Sequence, residues 1–245
     1  MRSLLSTLLV SLLPGSLAFV AQASFTRPAP PAAHRAAAVK ALIDPTLLAS
    51  LNRVSDRRGE VVVIKYGGHA MTNDDRAAEF ASDVALLQSL GMRPVVVHGG
   101  GPQINEMLER LEVESTFVNG LRVTSPAVME VVEMVLCGKL NKKIAAAINA
   151  AGGRAVGLSG KDDALVSASQ KDPELGLVGR VGHVRAPLLH LLIDSGVVPV
   201  IAPVATGADG GSFNVNADTM AGAIAGALGA ADLLLLTDVS RATRF

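Results

Sequence analysis

The sequence predicts an α/β chain built on a mostly parallel central sheet, and three observations carry that prediction. Two short β-branched apolar runs, Val61 to Ile64 and Val95 to Val97, each lead into glycines, as Lys65-Tyr-Gly-Gly68 and His98-Gly-Gly-Gly-Pro102. Short, uniformly apolar runs suit strands buried on both faces, the condition of a parallel sheet covered by helices. Between them, residues 77–90 have a helical apolar period that stops at Gly91, and strand-like and helix-like segments keep alternating beyond.

The amino terminus has the composition of an address. Arg2 precedes a Leu-rich stretch from Leu4 to Val20 that Pro14 and Gly15 interrupt, with small-residue cleavage sites after Ala18 or Ala23. Ser24 to Lys40 is rich in Ala, Pro and Arg and free of acids. A secretory-type leader followed by a transit-type stretch reads as a targeting presequence over residues 1–40, with simple secretion as the alternative. The stretch is too broken to predict a membrane span. From Ala41 to Val54, Leu42, Ile43, Leu47, Leu48 and Leu51 share one helical face. Residues 41–56 are therefore expected to form an N-terminal helix, packed on its own domain or docking a partner subunit.

After the first strand, helix and strand, Pro102 opens another helix at once, its N-terminal dipole directed at whatever the glycines hold. Met129 to Ala151 reads as a long helix closed by Gly152-Gly153, and Ala155 to Leu158 as the strand after it. Ala164 to Gln170 and Leu177 to Val184, separated by Asp172-Pro-Glu-Leu-Gly176, predict a hairpin added to the sheet. Leu188 to Ser195 is a helix, Val197 to Ala202 a strand, Ala217 to Leu228 a helix and Asp232 to Thr237 the last strand.

Charge and motifs remove several function classes. The chain has 22 basic and 22 acidic residues, but its first 43 residues hold four bases and no acid, so the body is mildly acidic. Neither a basic excess nor aromatic interleaving points to nucleic acid. Cys137, the single cysteine, excludes an internal disulfide. Gly160-Lys161 is followed by Asp162 and preceded five positions earlier by Ala155, so the G-x4-G-K-[ST] loop is absent. Gly99-Gly-Gly101 lacks the third glycine of a dinucleotide fingerprint. The five histidines show no metal-ligand spacing, so no metal ligand is assigned, and there is no G-x-S-x-G elbow.

What remains is a set of polar residues in apolar or glycine-rich settings. Lys65 ends a buried strand beside Gly67 and Gly68, where a desolvated ammonium needs an anionic partner. Arg122, in Asn119-Gly-Leu-Arg-Val-Thr124, is a bidentate binder of carboxylate or phosphate placed in a short extended element, or else a structural ion pair. Asn214, Asn216 and Asp218 crowd the start of a small-residue helix, and capping by Asn216 or Asp218 explains only one of them. His98 reads as a satisfied strand-end histidine. With two glycine loops made to approach an anion by backbone, the residues point to phosphoryl transfer.

The segments K-Y-G-G-H-A-M (65–71), H-G-G-G-P-Q-I (98–104), N-G-L-R-V-T (119–124), G-L-S-G-K-D (157–162), V-P-V-I-A-P (198–203), N-V-N-A-D-T (214–219) and L-L-T-D-V (235–239) resemble, in order and spacing, the acetylglutamate kinases of the amino acid kinase family. The resemblance implies a three-layer α/β/α sandwich and an ATP- and Mg2+-dependent phosphorylation of N-acetyl-L-glutamate to N-acetyl-L-glutamyl 5-phosphate in arginine synthesis. By the same resemblance Lys65 and Asp218 are catalytic, the lysine on the transferring phosphoryl and the aspartate orienting lysine ammonium groups. Gly67 and Gly68 join Lys65 around the nucleotide phosphates, while Gly100, Gly101, Arg122, Asn214 and Asn216 hold the acetylglutamate. It further implies residues 58–229 as the acetylglutamate-binding lobe and 230–245 as the start of a truncated ATP-binding lobe. The alternative is a catalytically dead remnant that binds acetylglutamate or assembles with full-length subunits. A homo-oligomer, hexameric through the N-terminal helix, a PII-type regulator as partner and a plastid location through a bipartite presequence complete the expectation.

Overall fold

The computed structural model describes residues 56–67, 71 and 73–236. The presequence, the helix expected at 41–56 save its last residue, Gly68, and everything beyond Leu236 lie outside the described residues.

Five strands form one parallel sheet in the order β11-β1-β2-β8-β5. β1 is Val61–Tyr66, β2 Arg93–His98, β5 Ala155–Ser159, β8 Val198–Ala202 and β11 Asp232–Leu235. Side chains alternate across a strand, so the sequence of β1 divides between two helical layers. Val62, Ile64 and Tyr66, with Val96, Val198 and Val200, pack on α1 (Asp74–Ser89) and α4 (Asn141–Ala150) through Phe80, Ala81, Val84, Ile144 and Ile148. Val63, Val95, Val97 and Ile201 face the other way, onto α5 (Pro187–Asp194) and α6 (Ala217–Leu228) through Leu189, Ile193, Met220, Ala221 and Ile224. The three-layer α/β/α expectation holds, and the parity of β1 assigns Lys65 to the α6 side.

A third apolar cluster joins α2 (Gly101–Arg110) to α3 (Pro126–Glu133). The long helix expected near 129–151 runs from Pro126 to Ala150, with a π-helical segment at Met134–Leu140 joining α3 to α4. The π segment turns Leu136 and Leu140 onto the glycines after β2: a Cβ at Gly100 would lie 2.6 Å from Leu136 and 2.4 Å from Leu140. Its position next to a glycine loop is typical of such bulges, which gather at functional sites.

The hairpin expectation needs one correction. β6 (Val166–Gln170) and β7 (Gly179–Val184) pair antiparallel as predicted, but they do not extend the parallel sheet. They form a separate four-stranded sheet, order β10-β9-β6-β7, with β9 (Val204–Thr206) and β10 (Ser212–Asn214). Strand pattern fixes which residues pair locally, whereas the partner of β6 on its other edge is recruited from nearly forty residues away in sequence, Ser167 opposite Thr206. β3 (Phe117–Val118) and β4 (Leu121–Arg122) make a small hairpin of their own. β11 pairs with β1 at the edge of the central sheet, leaving Leu233 to Leu236 each 38–43% exposed. Among the described residues no helix is long and apolar enough to cross a membrane.

Candidate functional site

The carboxyl ends of β1, β2 and β8 open on one side of the sheet, where ligands of parallel α/β folds are bound. β1 passes into Gly67, and β2 into Gly99, whose amide donates to the Tyr66 carbonyl at 2.8 Å, so the two glycine loops lie against each other. A cleft of about 190 Å³ opens there, lined by Gly99 to Gly101, Phe117, Arg122, Leu136, Asn214, Asn216 and Ala217 among others. It is smaller than the ~300–1,000 Å³ pockets that take drug-sized ligands, and so suits a small metabolite.

Arg122 is the charged centre of this cleft. It is 7% exposed. Its guanidinium donates to Asn105 Oδ1 at 2.6 Å, Ser115 Oγ at 3.1 Å and the Gly101 carbonyl at 3.4 Å, and it stands 4.6 Å over the Phe117 ring. Every acceptor is neutral, and among the described residues no carboxylate pairs with it. Burial holds its pKa below the ordinary arginine value. A desolvated cation with donors to spare and no counter-charge is costly unless an anion completes it. Arg122 is therefore built to receive one.

The glycines beside it differ in what they need. A Cβ at Gly100 would run into two leucines, so packing alone explains that residue. A Cβ at Gly101 would meet nothing within 4 Å, so the protein's own packing does not require glycine there; a ligand approaching the backbone would. Gly100 is the N-cap of α2, with Pro102 in its first turn, and both Gly100 and Gly101 line the cleft, which places a helix N-terminus at its wall.

Asn214 donates from Nδ2 to Thr124 Oγ1 at 3.2 Å, which leaves its carbonyl oxygen for another donor. Asn216 caps α6, its Oδ1 accepting from the Thr219 amide at 3.0 Å, so the capping role falls to Asn216 and not to Asp218. Asp218 instead pairs with Lys65, Nζ to Oδ1 at 3.1 Å, with the side chains 53% and 14% exposed. Gly67 leaves room for that lysine: a Cβ there would sit 3.0 Å from its Cε and Nζ. The cleft thus gathers Gly100, Gly101, Arg122, Asn214 and Asn216, while Lys65, Gly67 and Asp218 stand together next to it; Gly68 lies outside the described residues.

A model of the amino acid kinase family matches residues 60–241. The chain belongs to the amino acid kinase family. Within it, the chain is 53% identical over 220 residues to an acetylglutamate kinase of Acidiphilium cryptum, covering 84% of this chain and 73% of that one. It is 56% identical over 196 residues to an acetylglutamate kinase of Paracoccus denitrificans, covering 80% and 64%. The chain thus spans about two thirds of the length of these curated relatives. A crystal structure from Streptococcus mutans UA159 superposes with a TM-score of 0.67 at 33% identity, over 73% of each chain. Carbamate kinase from Giardia, at 17% identity and a TM-score of 0.54 over 74% of this chain and 73% of that one, shares the fold.

Three residues that surround the Arg122 guanidinium, Asn105, Ser115 and Phe117, escaped the sequence reading. Asn105 lies one helical turn after Gly101 on α2, a spacing that puts both on one face and was available as a signal. Ser115 sits in the connection after α2 and Phe117 opens the two-residue strand β3, both too short for a periodicity to mark them.

Proposed function

We propose that this chain carries the acetylglutamate-binding machinery of an acetylglutamate kinase, which transfers the γ-phosphoryl of ATP to the γ-carboxylate of N-acetyl-L-glutamate. The observation that carries the reading is the buried Arg122 at a glycine-lined cleft, with neutral neighbours and no counter-ion among the described residues. The printed names of the relatives support the substrate.

The chemistry asks little of proton transfer. A γ-carboxylate with an unperturbed pKa near ~4.3 is ionised at neutral pH and attacks the γ-phosphorus without a general base. The new O–P bond forms as the bond to ADP breaks, and catalysis consists of aligning two anions and offsetting their charge. In this reading Arg122 grips the α-carboxylate and the free Asn214 oxygen accepts from the acetamido N–H. The Gly100 and Gly101 amides face the reacting carboxylate, and Lys65, held by Asp218, meets the moving phosphoryl. Among the described residues no three His, Cys, Asp or Glu side chains stand together as a metal site. Mg2+ is commonly held by one or two carboxylates together with substrate phosphates, and the ion is proposed to arrive with the nucleotide. Assembly through the helix at 41–56 and a plastid address belong to the same proposal, supported by the apolar face and composition of the first 56 residues, and a PII-type partner joins them on the family resemblance alone.

The test is acyl phosphate formation, trapped with hydroxylamine, in the presence of ATP and N-acetyl-L-glutamate. Arg122→Ala should mainly raise the KM for acetylglutamate, and Lys65→Ala should mainly lower kcat, by ~10²–10³-fold. Equal losses in both parameters for both variants would refute these roles.

A further inference from the structure

His98 is fully buried at the end of β2, and kinase chemistry on a carboxylate makes no use of it. Its surroundings define it atom by atom. Asn141, at the start of α4 and itself fully buried, places Nδ2 at 2.8 Å from the Val200 carbonyl, 3.1 Å from the Leu158 carbonyl and 3.2 Å from His98 Nε2. Carbonyl oxygens only accept, so two strand carbonyls fix which end of the amide faces them, and Lys142 Nζ at 3.2 Å from Oδ1 agrees. The amide's two hydrogens are shared among the two carbonyls and His98 Nε2, and an Nε2–H pointing at them would meet only donors, so Nε2 carries no proton. The imidazole hydrogen is then on Nδ1, which stands 2.8 Å from the Gly99 carbonyl and donates to it.

That hydrogen bond has a consequence across the peptide plane. No cis peptide occurs among the described residues, and in a trans peptide the C=O and the following N–H point in opposite directions. With the Gly99 carbonyl turned inward to His98, the Gly100 N–H is turned outward, to the side where Gly99, Gly100 and Gly101 line the cleft. Among the described residues the Gly100 amide donates to no backbone or side-chain acceptor.

We propose that His98, its tautomer set by Asn141, is a positioning residue that locks the Gly99–Gly100 peptide so that the Gly100 N–H is presented to the anion bound in the cleft. The inference rests on the cleft being the acetylglutamate site. Protonation at Nε2 would face the Asn141 amide hydrogens, and burial accordingly pushes the imidazole pKa down to about 4, so the device stays in one state through the neutral range.

Two variants and one spectroscopic readout test it. His98→Asn keeps an N–H donor where Nδ1 stands, whereas His98→Leu removes it. By calorimetry with N-acetyl-L-glutamate, His98→Leu should bind about tenfold more weakly, one mis-aimed hydrogen bond to a charged group, and His98→Asn within about threefold of the parent. The Gly100 amide resonance should move downfield on ligand addition in the parent and in His98→Asn. Long-range proton–nitrogen correlation of the parent's imidazole needs no variant and should report the Nδ1–H tautomer, so the inference stays testable if His98→Leu does not fold. An Nε2–H tautomer, a folded His98→Leu with parental affinity, or equal weakening by both variants overturns the positioning role alone. A parent chain that binds no acetylglutamate overturns the proposed function and this inference with it.

Discussion

Acidification should expose His98 as a stability switch at mildly acidic pH. In the folded chain its pKa is about 4, because a cation in that fully enclosed site would lose its hydration. In the unfolded chain the same imidazole takes up its proton near ~6.5. The unfolded state therefore binds the proton first. The stability that depends on a neutral His98 is complete above the unfolded value and is lost progressively as pH falls from about 6.5 toward 4, below which the slope vanishes. Over the whole window the linkage amounts to roughly 3 kcal/mol, and about 1 kcal/mol of it is gone between about pH 7.5 and pH 5.5, before most carboxylates titrate. The assay is urea unfolding of the chain and of His98→Asn at both pH values, compared as differences so that other groups cancel. The parent should lose about 1 kcal/mol more than the variant over that interval. Parallel pH dependence in the two proteins would refute a buried neutral His98.

Two further outcomes follow from the same packing. Gly100→Ala forces a methyl into Leu136 and Leu140, at 2.6 and 2.4 Å from their terminal carbons, and those leucines are 2% and 5% exposed with little space to retreat. It should cost about 1–3 kcal/mol in chemical denaturation and weaken acetylglutamate binding as the loop shifts. Asp218→Asn removes a half-exposed ion pair, so thermal stability should change by less than about 1 kcal/mol. Phosphoryl transfer should nonetheless fall at least about tenfold because Lys65 is no longer held in place, and unchanged kcat would sink its assigned role.

Features that depend on neighbours along the chain are legible without the fold. β1, β2 and β8 are legible because β-branched apolar runs admit few other conformations when both faces are buried. α6 is legible to the residue because Asn216 caps its first turn and Gly229 ends it with φ +57°, a left-handed conformation that suits glycine. The glycine loops and Arg122 stood out because a charge or a bare backbone after an apolar strand demands an explanation. The remaining features arise from groups that folding brings together. The second sheet exists because β9, from beyond the parallel core, pairs with the β6–β7 hairpin, a contact whose pattern along β6 is the same with or without that partner. Arg122 is a candidate anion receptor and not a structural ion pair because the groups folded around it, Asn105, Ser115 and the Gly101 carbonyl, are all neutral. His98 is the satisfied strand-end histidine its sequence setting suggests, but its tautomer depends on Asn141, 43 positions later. Periodicity and propensity record what a residue does to its own segment, whereas proton placement, charge balance and sheet membership are properties of groups brought together by folding.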